Sequence, residues 1–174
     1  VMAGSGSSAS AVCSFIGGGQ GNCTCTTATG SVVGGGQGNC AGGFFSQVLG
    51  GCNNKALGIY STISGHYGNT IASGANYSSI FGGYANTISA RYGTLVGSVG
   101  NTISTTLGGA GLFIGFSTIS GGGIAIGGNF NVSSGNNAII LGTGYNIASG
   151  NCSQILGGNY NTGSGAFSSI IGGT

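Results

Sequence analysis

Pairs of apolar residues, each closed by a glycine, recur along this chain at a nearly constant interval. Phe15-Ile16-Gly17 is the first. Val32-Val33-Gly34, Val48-Leu49-Gly50, Ile80-Phe81-Gly82, Leu95-Val96-Gly97, Ile140-Leu141-Gly142, Ile155-Leu156-Gly157 and Ile170-Ile171-Gly172 repeat it. Ile63-Ser64-Gly65, Phe113-Ile114-Gly115 and Ala125-Ile126-Gly127 are weaker members. The ten intervals between these eleven glycines run from 12 to 18 residues, and five of them equal 15. The 18 that leads to Gly115 is followed by the 12, so this coil reads as shifted in place. Four or five residues past most of the glycines stands an asparagine: Asn22, Asn39, Asn54, Asn69, Asn86, Asn101, Asn131, Asn146 and Asn161. A lone apolar residue follows, such as Ile71, Ile88, Ile103, Ile119, Val132 or Ile147, and then a Ser or Thr.

A fixed short period marks a repeat architecture. Helix is excluded by the glycine density, since each interior glycine costs about 1 kcal/mol against alanine. Two short strands and two Gly/Asn turns per period satisfy the pattern, with successive coils stacked in parallel at ~4.8 Å. The expected fold is all-β: a single-domain parallel β-helix or β-roll solenoid of about eleven coils with ~15-residue repeats. Residues 1–12 form a lead-in and 13–174 the repeats. Stacked asparagines suit a hydrogen-bonded ladder inside such a rod, or a recognition surface if the column faces outward.

Neighbouring residues on a strand point to opposite faces. One member of each apolar pair therefore lines the interior and the other points away. The column one before each glycine includes Phe81, Val96, Ile114, Ile126, Leu141, Leu156 and Ile171. A strip of that size exceeds what soluble monomers usually expose. Either copies of the same chain pack side by side on it, or a thick two-layer coil hides both columns.

Composition removes most other functions. The chain has 174 residues, 43 of them Gly, with no Pro, Asp or Glu. Its only permanent charges are Lys55 and Arg91, and His66 is its single histidine. No clustered basic residues are present to bind nucleic acid. No apolar run is long enough for a transmembrane helix. General acid–base catalysis lacks its usual groups, so no enzyme, cofactor or metal is expected. Gly17–Gly21 has the outline of a phosphate loop but lacks the lysine, and it reads as a turn. The chain does not begin with Met, which suggests a processed product or a fragment.

Repeats of the form Ser-x-Φ-Φ-Gly-x-x-x-Asn resemble the YadA-like head repeats of trimeric autotransporter adhesins. Residues 121–128, Gly-Gly-Gly-Ile-Ala-Ile-Gly-Gly, contain the Ile-Ala-Ile-Gly core of that repeat, and Asn137 to Gly142, Asn-Ala-Ile-Ile-Leu-Gly, is a close variant. The resemblance covers nearly the whole chain. It implies a left-handed parallel β-roll, usually trimeric, in a surface-exposed adhesive or fibrous structure. The family's stalk and membrane anchor are not seen in these residues, and cysteine is not part of the head pattern.

Six cysteines (Cys13, Cys23, Cys25, Cys40, Cys52 and Cys152) favour an oxidising extracellular setting. Cys23 and Cys40 each stand six residues past their glycines in consecutive coils, so a Cys23–Cys40 disulfide is expected. Cys13 and Cys152 lie toward opposite ends of the rod and are expected to meet only between molecules stacked head to tail. Four sequons occur, at Asn22, Asn76, Asn131 and Asn151. Asn76 and Asn151 share a column near a turn. Glycans at Asn22 and Asn131 require the asparagine ladder to face outward.

The resulting expectation is a non-enzymatic extracellular, cell-surface or virion-surface filament subunit. It self-assembles through its apolar columns and open coil ends, with N-linked glycans as a solubilising coat. An adhesin head binding a host or matrix ligand is the alternative. A less favoured one is an ice-binding solenoid, suggested by Thr70, Thr87, Thr102 and Thr162 beside the asparagine column.

Overall fold

The structure, a computed structural model, describes residues 4–97, 99–104, 109–112 and 115–173. It is an all-β parallel solenoid with about ten turns. Strands of two or three residues alternate between two parallel sheets of eleven strands each. Sheet I begins with Ser8–Ala9 and Cys23–Thr24 and ends with Thr162–Gly163. Sheet II begins with Phe15–Ile16 and Val32–Val33 and ends with Ser169–Ile170. Every strand pairs with the strand one coil on, so backbone donors and acceptors are met between coils. A third side carries only single bridges, in a run from Ser5 through Gln20, Gln37, Cys52, Tyr67 and Tyr84 to Val99. Strand Ser8–Ala9 pairs with Cys23–Thr24, so the expected lead-in already contributes to the first coil.

Side chains from both sheets meet in a narrow dry core. Sheet II supplies Ile16, Val33, Val48, Ile63, Ile80, Leu95, Ala125, Ile140 and Ile155, all fully buried. Sheet I supplies Ala41, Ala56, Ile71, Ile88, Ile103, Ile119 and Ala148. In several coils the two sheets trade size. Small residues of sheet I (Thr24, Ala41, Ala56) share coils with the larger Val and Ile of sheet II. Where sheet II narrows to Gly111 and Ala125, sheet I carries Ile103 and Ile119. In the middle coils both sheets carry large residues, Ile63 with Ile71 and Ile80 with Ile88.

The pairing register departs from the glycine spacing in the first two coils and in the seventh. Ile16 and Val33, not Phe15 and Val32, align with Val48, so the first two pairs present their second member inward. A one-residue slip exchanges the faces of a strand, and the glycine that closes each pair does not keep step with the buried position. In the seventh coil the strand is Ala110–Leu112, in register with Leu95 and Ala125 through Gly111. The expected members Phe113 and Ile114 lie outside the described residues. Counted on the buried position, the irregular coil is 16 residues followed by 14, not 18 followed by 12. Val132 and Ile147 point outward, and their neighbours Ser133 and Ala148 take the inner place.

The asparagine column faces the interior and makes the expected ladder. From Asn39 to Asn101 the backbone N–H of each ladder asparagine donates to the Oδ1 of the asparagine one coil earlier, at 3.0 Å for Asn39 to Asn22 and 2.9 Å for Asn101 to Asn86, and Asn22 N–H donates to Ser7 Oγ at 3.2 Å. The Nδ2 group donates to carbonyls, as Asn39 does to Gly35 and Gly51, both at 2.8 Å. In the seventh coil Ser117 takes over. Its N–H donates to Asn101 Oδ1 at 3.0 Å, and its Oγ accepts from Asn131 N–H at 3.2 Å. An unpaired buried N–H costs about 1–3 kcal/mol, which is why a shorter side chain with an acceptor fills the gap.

Two residues before every strand of sheet I the backbone enters the left-handed region. Glycines hold this corner at Gly6, Gly21, Gly38, Gly68 and Gly100, but Phe130, Tyr145 and Tyr160 hold it near the other end, at φ 53–57°. Bulky residues rarely adopt that conformation. Here they recover part of the cost by stacking: Phe130 on Tyr145 and Tyr145 on Tyr160, each with ring centroids 4.9 Å apart. A second ladder, Phe45–Tyr60–Tyr77–Tyr92, climbs the corner before sheet II at 5.2–5.4 Å.

Candidate functional site: an outward apolar column

The outer face of sheet II carries the column expected to need a partner. Phe81 is 52% exposed, Val96 39%, Ile126 42%, Leu141 42%, Leu156 37% and Ile171 81%. Leu49, at 53%, stands in the same column. Ser64 separates it from Phe81. Ile114 falls outside the described residues; in backbone register Val96 and Ile126 both pair with Leu112. The alternative of a two-layer coil that hides both apolar columns is not what forms: one column is buried and the other is in solvent.

Sheet I presents a different exterior. Its outward positions include Thr70, Thr87, Thr102 and Thr118 in direct register. Two residues on, Ser89, Ser104, Ser120, Ser134, Ser149 and Ser164 form an exposed parallel column. Thr162, expected to extend the threonine column, is separated from the others by Val132 and Ile147. The sequence showed the threonines but not their alignment, because coil lengths vary.

Five of the six cysteines lie toward one end, and Cys152 toward the other. Cys23 and Cys40 are direct register partners on adjacent strands, as expected. They are not bonded, and all six cysteines are free thiols. Cys23 and Cys25 flank the inward Thr24, so both project outward beside Cys40, and the Cys25 and Cys40 sulfurs lie 3.8 Å apart. Spacing alone singled out Cys23 and missed Cys25 as the competing neighbour. Burial, and then the adjacent Cys23 and Cys25 thiols, push the Cys40 thiol well above its usual range. Thiolate chemistry in this cluster is therefore disfavoured at Cys40. Cys13 and Cys152 occupy equivalent left-handed corners, φ 55° and 53°, near opposite ends of the rod.

The sequons divide by burial. Asn22 and Asn131 are fully buried ladder members. Asn22 Nδ2 donates to Gly18 and Gly36, both at 2.8 Å. The outward-facing ladder that a glycan there requires is not formed, and this corrects the expectation for both residues. Asn151 is exposed. Asn76 is half-buried and accepts the Ile59 N–H at 3.0 Å through Oδ1.

No grouping of three or more His or Cys side chains suited to a metal ion occurs among the described residues. No described helix is long and apolar enough to cross a membrane. No protein-family model matches the chain, and no curated protein matches it.

Proposed function

We propose that the chain is a structural, non-enzymatic subunit of an extracellular or surface filament, associating side by side with copies of itself. The observation that carries this reading is the outward column from Leu49 to Ile171. It runs along one face of a rod whose own core is already complete. Removing that apolar strip from water gains about 25 cal/mol per Å2. With formal charge of only +2, little repulsion opposes contact between copies. The resemblance to YadA-like heads supports the same geometry, since those repeats pack against one another in trimers.

Sedimentation velocity tests it. The protein is expected to sediment as a trimer or larger assembly at micromolar concentration. Replacing Ile126, Leu141 and Leu156 together by Thr is expected to weaken association by ~100-fold or more. A monomer that stays monomeric at ~100 µM, where even weak specific contacts are populated, overturns the reading. Asn151 is the sequon placed to carry a solubilising glycan in a secretory source. Intact mass before and after deglycosylation is expected to differ, and Asn151→Gln to abolish most of that difference. An unchanged mass removes the coat from the proposal.

A further inference from the structure

Three residues before Asn22, Asn39, Asn54, Asn86 and Asn161 stands a left-handed glycine: Gly19, Gly36, Gly51, Gly83 and Gly158, at φ 76–91°. Before Asn69, in the fourth coil, His66 stands there, at φ 67°. A Cβ on Gly36 would lie 2.0 Å from the Gly51 carbonyl oxygen, so the exception is costly. Strain of this kind is a starting point for a functional hypothesis.

The His66 ring lies across Gly82, where an added Cβ would stand 3.1 Å from His66 Cδ2. From there opens a groove of about 540 Å3, floored by Gly82 and Gly83. Phe81, Gly97 and the stacked pair Tyr67–Tyr84, with centroids 5.1 Å apart and planes 7° from parallel, complete its lining. Its size falls within the range of small-ligand sites. No Lys, Arg or acidic side chain lines it, so nothing there matches an ionic ligand. Two phenol hydroxyls and one imidazole offer hydrogen bonds beside an exposed aromatic face. That combination fits a ring with an apolar face and a hydroxylated rim.

We propose that this groove binds a neutral pyranose unit of a glycan, with the sugar's C–H face against Phe81 and its hydroxyls on Tyr67, Tyr84 and His66. Phe81 also stands in the apolar column, so side-by-side packing that covers it competes with the sugar, and the groove is open in the dissociated chain. It is therefore tested on the Ile126→Thr, Leu141→Thr, Leu156→Thr protein, which leaves the groove intact.

His66 is the only histidine, so its two imidazole proton signals report the site directly. Titration with maltotriose, cellotriose and chitotriose is expected to shift those signals, saturating in the millimolar range for at least one sugar. Tyr84→Ala is expected to weaken that binding by roughly 3–10-fold. His66→Gly restores the residue its column prefers, so the fold is retained while binding falls. Silence of the imidazole toward all three sugars overturns the proposal. So does equal affinity in the folded His66→Gly protein, or a shift produced by phenol but by none of the sugars.

Discussion

On the outside of sheet I, Thr70, Thr87, Thr102 and Thr118 stand in register with Ser89, Ser104 and Ser120 beside them. On the outside of sheet II, the row before the buried residues is also largely polar (Gln47, Thr62, Ser79, Thr94, Gln154), but the row after them carries Leu49, Phe81, Val96, Ile126, Leu141 and Leu156. Both sheets close the same core with the same parallel pairing, so the fold itself does not demand the difference. Inner positions are coupled: Gly111 and Ala125 on one sheet go with Ile103 and Ile119 on the other. Outer positions have no such partner within the chain. Their chemistry is free to vary, and a sustained apolar choice on one face only is a statement about what lies beyond it.

The sharpest way to break this contrast is to compare neighbours on one strand. Ile80 is fully buried and Phe81 is half in solvent. Ile80→Ala, or Ile88→Ala across the core, is expected to cost about 2–5 kcal/mol through the cavity left behind. Phe81→Ala, despite removing a larger side chain, is expected to cost under ~1 kcal/mol in the dissociated protein, as an exposed site should. Urea unfolding at a concentration below association measures both. If Phe81→Ala matches Ile80→Ala, the column faces a packed interior and the two-face description fails.

Much of this architecture was legible in the sequence. Ile80-Phe81-Gly82 and Leu95-Val96-Gly97 fix period, strand and the inward and outward members of each pair, because two adjacent apolar residues on a strand cannot share a face. Asn86 and Asn101, at the same offset, announced the ladder. The sequence misled where glycine was used as a ruler. Gly17 and Gly34 follow their buried residues by one position and Gly50 follows Val48 by two, so the columns slipped at the first two coils. It also hid substitutions that preserve a role while changing the residue. Ser117 continues a ladder of asparagines because one acceptor and one backbone N–H suffice. Phe130 and Tyr145 occupy a corner built for glycine because stacking along the rod offsets their backbone cost. The His66 groove joins residues of three coils, and no single repeat shows it.

A gentler change sharpens the contrast from the other side. Thr87→Val, Thr102→Val and Thr118→Val exchange a hydroxyl for a methyl at nearly constant shape. These side chains point outward and are only half buried, so each substitution is expected to move the monomer's stability by no more than ~0.5 kcal/mol. β-branching is kept, and with it the strand preference. What changes is the surface: sheet I acquires an uninterrupted apolar row from position 87 to Ile147, since Val132 and Ile147 already stand in that column. If apolar exterior columns drive association, the triple variant has two sticky faces where the natural chain has one. Sedimentation is then expected to show species larger than the parent assembly, while unfolding of the dissociated chain stays almost unchanged. An unaltered assembly size would mean that a bare apolar row is not sufficient, and that the particular relief of Phe81, Val96 and Leu141 on sheet II selects the partner.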